Sequence, residues 1–170
     1  MLSAKKPYPI LNSTEYVDIA GIKNIPAKID TGADSSAVWV SGLKMESDKK
    51  LSFTLFGPSS PFYTGERLFV DKYTVKTIRS SHGDEQVRYQ VKLEIVLGGQ
   101  RLTTAFTLAD RSQNNFPVLI GRRTMKNRFL VDVSESPVKR RKNPRTPKLK
   151  QELEQDPHKF HQKYIERSKK

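Results

Sequence analysis

The chain has 170 residues, no cysteine and a formal charge of +13, from 31 Lys and Arg against 18 Asp and Glu. That length holds one domain, or a domain with a tail. The lack of cysteine excludes a disulfide framework, a thiol nucleophile and a cysteine-ligated zinc finger. No apolar run approaches membrane-spanning length and Met1–Pro7 has no apolar signal core, so the expectation is a soluble, cytoplasmic protein without a membrane partner. Residues 137–170 carry 12 basic and 4 acidic residues, +8, against +5 for the rest, so the last fifth reads as an appendage.

In chain order, Glu15–Ile19 and Ile25–Ile29 are predicted as strands joined through Gly21. Tyr16 and Asp18 alternate with Val17 and Ile19 as on a half-buried antiparallel edge. Next comes Ala27-Lys28-Ile29-Asp30-Thr31-Gly32-Ala33-Asp34-Ser35-Ser36-Ala37-Val38, a strand running into a tight loop and out into a strand over Ser36–Val40. Asp-Thr-Gly is ordinary turn chemistry, but here it would also present Asp30 from a rigid base. Trp39 is expected to fill core or interface volume, with substrate contact as the alternative. Ser41–Lys50 is polar and reads as a connection, Leu51–Phe56 as a strand, and Gly57-Pro58-Ser59-Ser60-Pro61 as a break.

Arg67–Lys72 and Tyr73–Arg79 are short and rich in β-formers. Ile78 to Val91 reads as a hairpin with the polar tip Ser80-Ser81-His82-Gly83. A second hairpin follows, Val91–Leu97 and Arg101–Leu108 around Gly98-Gly99. Phe116-Pro117-Val118-Leu119-Ile120-Gly121 then leads into a short helix over Arg122–Asn127 and a strand over Phe129–Val133. Many short strands with frequent turns predict an all-β barrel or sandwich. Ser134–Lys150 holds three prolines and the run Lys139–Lys142, and is expected to be extended or disordered. Asp156-Pro157 is expected to start a terminal helix, with Phe160 and Tyr164 one turn apart.

Asp-Thr-Gly-Ala followed by Ser35-Ser36 resembles the active-site loop of retropepsin-type aspartic proteases. Together with Leu119-Ile120-Gly121-Arg122-Arg123 and Arg128-Phe129-Leu130-Val131-Asp132, it makes residues 8–133 similar to the family called ATP-dependent zinc proteases, RimB-like proteins that accompany RimK-type ATP-grasp ligases. Many relatives carry a basic residue at Asp34 and a histidine at Trp39. The resemblance implies a closed retropepsin-like barrel with one short helix. It also implies Asp30, Thr31 and Gly32 as catalytic residues, and a flap in which Arg79, Ser80, Ser81, His82 and Gly83 cover bound peptide.

Hydrolysis without a metal or covalent intermediate is served by two carboxylates sharing a proton. The chain has one Asp-Thr-Gly, so the second carboxylate is expected from a homodimer, with Thr31 clamping the paired loops and Gly32 allowing their approach. The association with glutamate-adding ligases implies trimming of oligoglutamate extensions on a ribosomal protein, with Arg79, Arg88, Arg122 and Arg123 as candidate carboxylate contacts. The residues themselves give no support for zinc or ATP. There is no His-Glu-x-x-His, the histidines are His82, His158 and His161, and Gly98-Gly99 reads as a turn rather than a phosphate loop. No cofactor is expected. One rival is a non-catalytic binding module of the same fold for an acidic protein or RNA; another is a metalloprotease. The basic tail over 134–170 is either a solvated or dimer-wrapping segment, or a contact for the ribosome or RNA.

Overall fold

Turn chemistry sets the first hairpin of the computed structural model, which describes residues 7–79, 83–139 and 143–166. After β1 (Ile10–Asn12), β2 (Thr14–Ile19) and β3 (Ile22–Ile29) pair antiparallel through Ala20 and Gly21. Both turn residues have positive φ, +47° and +84°, as a two-residue hairpin turn that matches strand twist requires. β2 is not the edge that its alternation suggested. Asp18 and Ile19 pair with β8 (Glu85–Leu97), and Thr14, Val17 and Ile19 are buried.

The other strands are β4 (Ser36–Met45), β5 (Leu51–Leu55), β6 (Arg67–Val70), β7 (Tyr73–Arg79), β9 (Gln100–Ala109), β10 (Val118–Ile120) and β11 (Leu130–Asp132). Hydrogen bonding runs β10–β3–β2–β8–β9–β4, and β4 returns to β10, closing a six-stranded barrel. β5 and β6 continue outward from β4, while β7 extends from β8. Closure removes the free edges that an open sheet would expose. The inward side chains, among them Phe53, Phe56, Phe106, Ile19, Ile25, Ile95 and Ile120, are essentially inaccessible to water. Each contributes about 2 kcal/mol of burial.

Ser41–Met45 continues β4 instead of forming a connection. Gly42 sits at φ +58°, beside a register shift between Ser41 and Lys44, so the strand bends onto β5 where a polar linker was expected. The Tyr73–Val91 hairpin forms in register, from Tyr73 opposite Val91 to Arg79 opposite Glu85. Gly98 and Gly99, at φ +54° and +73°, close the β8–β9 turn. The short helix is a single turn, α1 (Arg122–Met125). β11 then pairs in parallel with β1. The chain beyond it stays on this unit to Lys139 rather than leaving at Val133: Ser13 donates from its backbone to the Glu135 carbonyl, and Val138 to the Thr14 hydroxyl.

Residues 140–170 form a second unit. It holds α2 (Arg145–Gln155) where an extended segment was expected. The prolines do not prevent the helix, because Pro144 is its N-cap and Pro147 lies in its first turn, where no backbone N–H donor is needed. α3 (Pro157–Tyr164) is capped by Asp156, whose carboxylate accepts from the Lys159 amide, and the Phe160 and Tyr164 rings stack 4.8 Å apart. No helix among the described residues is long and apolar enough to cross a membrane.

Candidate active site

β3 ends at the barrel rim, and the backbone delivers Asp30 there through a hydrogen bond from its amide to the Ile120 carbonyl, 2.9 Å. β10 lies parallel to β3 with Ile120 opposite Ile29, so the apolar-apolar-glycine segment and the Asp-Thr-Gly loop leave the barrel side by side. Gly121 brings them into backbone contact. A Cβ there would stand 2.5 Å from the Ser35 carbonyl carbon and 3.0 Å from the Ala33 oxygen. The Arg122 amide then donates to Ala33 O at 2.8 Å, and the Arg123 amide to Asp34 O.

A buried hydroxyl chain holds this junction from below. Ser36 Oγ accepts from the Gly121 amide at 3.0 Å and bonds Thr124 Oγ1 at 2.8 Å, and Thr124 reaches Thr104 on β9 at 2.9 Å. Thr107 donates to the Ser36 carbonyl. Ser36, Thr104, Thr107 and Thr124 therefore fix the loop, the barrel and α1 to one another. Sequence reading gives them no role because isolated hydroxyls far apart in the chain carry no motif.

The Asp30 carboxylate is half-buried. Its Oδ1 accepts from the Gly32 and Ala33 amides at 3.1 and 3.2 Å, and its Oδ2 takes a 2.9 Å ion pair from Lys28 Nζ. Lys28 precedes Asp30 by two residues on β3, hence shares its face. Burial pulls the carboxyl upward and is the largest single influence. The Lys28 ammonium and the two amides together outweigh it, so Asp30 lies below the ordinary carboxylate range. Its spacing of two before the aspartate is the one sequence signal that points to Lys28. Thr31 and Gly32 are exposed at the loop tip. Thr31 opens on a surface depression of about 650 Å³, also lined by Arg122, Met125, Lys126, Phe129 and Val131.

The β7–β8 hairpin is tied to this loop. Lys76 Nζ on β7 bonds Asp34 Oδ2 at 2.6 Å and also the Ser35 hydroxyl. Arg123 reaches Asp34 at 3.0 Å and Arg122 at 3.9 Å. Lys76 and Arg123 hold the Asp34 carboxyl below its usual range. Arg79 ends β7 with its guanidinium 3.6 Å from Glu85, and Gly83 is exposed at φ +89°. Ser80, Ser81 and His82 lie outside the described residues. Trp39 is part-buried against the core, its ring so close to Gly57 that a Cβ there would meet it at 2.6 Å.

One further cation was not anticipated. Arg111, after β9, is half-buried, and its Nε donates to the Phe116 carbonyl at 3.1 Å. Burial pushes this guanidinium down, the Arg88 charge pushes it further, and Asp30 pulls it back. No group of three or more His, Cys, Asp or Glu among the described residues could hold a metal.

Residues 10–142 match the profile of the family described as retropepsin-like aspartic endopeptidase RimB. A protein of Shewanella pealeana named "Probable alpha-L-glutamate ligase" is 32% identical over 126 residues, covering 68% of this chain and 26% of its own length. One of Desulfotalea psychrophila with the same name is 26% identical over 131 residues, covering 72% and 28%. The chain thus spans about a quarter of the length of the curated relatives it matches. A crystal structure of a Legionella pneumophila protein of unknown function superimposes with a TM-score of 0.55 at 21% identity, over 75% of this chain and 95% of that one, which shows a shared fold. The chain belongs to the RimB-like family of retropepsin-like aspartic endopeptidases.

Proposed function

We propose that this protein is a cytoplasmic aspartic endopeptidase that acts as a homodimer and cuts acidic, oligoglutamate-like extensions on a protein of the ribosome. The observation that carries the catalytic part is the rim arrangement: a half-buried Asp30 carboxylate held by two loop amides, on a loop locked against Gly121. In the dimer, the two Asp30 carboxyls meet on the symmetry axis and titrate as a pair. One carboxylate takes a proton from water as its oxygen attacks the scissile carbonyl carbon. The other carboxylic acid gives its proton to the carbonyl oxygen. Collapse of the resulting diol returns a proton to the departing amide nitrogen and breaks the C–N bond.

Two further features support self-association. Thr31 is exposed at the loop tip, as a residue that clamps a partner loop must be. Ile10 on β1 and Leu130 on β11 are cross-strand neighbours that face solvent at 62% and 55% exposure, an apolar pair suited to a second copy. The acidic substrate is supported by the cations around the rim and by the glutamate-ligase name of the relatives. The basic second unit supplies long-range attraction for the same acidic target or for ribosomal RNA.

The Lys28–Asp30 ion pair favours a second reading, a binding module in which the aspartate stays ionised and turns nothing over. Asp30→Asn separates the two. The first reading expects the variant to remain dimeric and to lose peptide cleavage by at least about a hundredfold. Cleavage at the wild-type rate would eliminate it. Equal cleavage of neutral and polyglutamate peptides at low salt would remove the acidic-substrate part alone.

A further inference from the structure

The β7–β8 hairpin outruns the sheet that supports it. β8 pairs with β9 from Gln90, opposite Thr107, up to Leu97, and β7 pairs with β8 alone. Among the described residues, 75–79 and 85–89 therefore form a two-stranded arm with no third strand, an arrangement that is marginal by itself in water. Register gives the arm two faces. Val75 with Tyr89 and Thr77 with Val87 share one, where both valines are exposed; Lys76 with Arg88 and Ile78 with Gln86 share the other. The side-chain bonds of Arg79 to Glu85 and of Arg88 to Gln86 stay within the arm.

Lys76 reaches outside it. It stands just past Thr74, the residue opposite Gln90, where support from β9 ends. Its ammonium meets Asp34 Oδ2 at 2.6 Å and also the Ser35 hydroxyl. The contact covers it: the Lys76 side chain is 23% exposed, against 75% for Arg79 further along the strand. The receiving end is rigid. Ala33 O and Asp34 O accept from the Arg122 and Arg123 amides, the Ser36 hydroxyl holds the Gly121 amide, and Arg123 grips the Asp34 carboxylate at 3.0 Å. A fixed carboxylate joined to an arm that has no sheet neighbour restrains the arm, not the loop.

We propose that Lys76 is a positioning residue with Asp34 as its anchor: their ion pair sets the angle at which the hairpin arm stands to the Asp30 loop, and so places the arm's inner face for contact with a bound peptide. The kinetic consequence rests on the peptidase reading. The restraint on the arm does not, and it is measured without turnover. Sequence reading gives Lys76 no role, since a lysine in a β-rich run carries no motif.

The test is amide hydrogen exchange on the full chain, read for residues 75–79 and 85–89. Lys76→Met and Asp34→Asn should each speed exchange there about three- to tenfold, while residues 91–97 of β8 and the β9 amides keep their wild-type protection. The double variant should be no faster than the faster single one, because both changes remove the same contact. Lys76→Arg, which keeps the charge, should restore most of the protection. Lys92→Met, an exposed cation on the supported part of β8, should change nothing. With a peptide that the protein cleaves, Lys76→Met should raise KM about five- to tenfold and leave kcat within about twofold, since the arm holds substrate and does not touch the reacting carboxylates.

Additive effects in the double variant, or faster exchange spread over the barrel with a lower melting temperature, would overturn the proposal by showing general destabilisation. Faster exchange confined to residues 31–36 would overturn it too, making the pair a brace for the loop. A fall in kcat at unchanged KM has the same force. If the arm loosens as expected but the wild type cuts no peptide, the restraint stands and the peptidase reading falls. If cleavage depends on Asp30 while the arm's exchange ignores Lys76 and Asp34, the peptidase reading stands and the positioning role falls.

Discussion

Gly121→Ala tests the claim that loop-to-segment contact, not local conformation, makes this glycine necessary. Gly121 has φ −93° and ψ 174°, an extended conformation that alanine adopts freely, so the substitution costs nothing through the backbone torsions. The whole effect is steric. The new methyl would stand 2.5 Å from Ser35 C, 2.6 Å from Ser35 O and 3.0 Å from Ala33 O, where about 3.5 Å is comfortable. The obstructing atoms are backbone and cannot rotate away, so the segments must part by about 1 Å. That separation stretches the 2.8 Å bond from the Arg122 amide to Ala33 O and the 3.0 Å bond from the Gly121 amide to Ser36 Oγ. Overpacking of this kind costs about 3 kcal/mol, which for a chain of this length lowers the melting temperature by about 6–12 °C. Because Asp30 rides on the displaced loop, turnover should fall about a hundredfold, the usual consequence of a 1 Å misplacement. Thermal unfolding followed by circular dichroism, with peptide turnover on the same samples, checks both numbers. A control at Gly99, where a Cβ meets nothing within 4 Å but φ is +73°, should cost only about 1 kcal/mol of backbone strain and no specific activity. If Gly121→Ala melts with the wild type and turns over normally, the wedge between the two segments is not what positions Asp30.

Two other perturbations address the chemistry and the support beneath it. Lys28→Met removes the ammonium that helps hold Asp30 below the ordinary carboxylate range, so burial acts with less opposition and the carboxyl rises. In the wild type the depressed value contributes stability that is present above the unfolded carboxylate range and lost as pH falls through the folded value. The variant should therefore lose about 0.5–1 kcal/mol at neutral pH, and the acid limb of its pH–rate profile should move to higher pH; an unmoved limb would show that Lys28 does not tune Asp30. Ser36→Ala strands the buried Gly121 amide, which should cost about 2 kcal/mol and, measured by calorimetry, about 4–8 °C in melting temperature.

The barrel was legible because its strands are punctuated by residues with few other uses. Gly21, Gly98 and Gly99 sit at the turns predicted for them, and each has the positive φ that explains its presence. Leu-Ile-Gly stood out for a similar reason, since its glycine lies where a second backbone comes close, whereas a Cβ at Gly32 would meet only the Asp30 carboxylate. Gly42 misled in the other direction. A glycine in a polar run reads as a linker, but here it bends one long strand from the barrel onto β5. Proline misled in the tail, where its meaning depends on whether it falls inside a helix or in the first turn, a distinction of two or three residues. β2 reads as an edge because period-two alternation reports one buried face and says nothing about neighbours on either side. None of the sequence signals could find the Ser36–Thr124–Thr104 chain, since those hydroxyls matter only through contacts between elements far apart in sequence.

Charge shows the same limit most sharply, and it bears on function. Counting cations makes Arg79, Arg122 and Arg123 as attractive as Arg88 for holding an acidic peptide. The fold separates them by asking which positive charges are already answered. Asp34 takes in Lys76, Arg122 and Arg123 and acts as a local sink, leaving those cations structural and tying the β7–β8 hairpin to the loop. Relatives with a basic residue at that position would lack this sink, and their hairpin would need another tether.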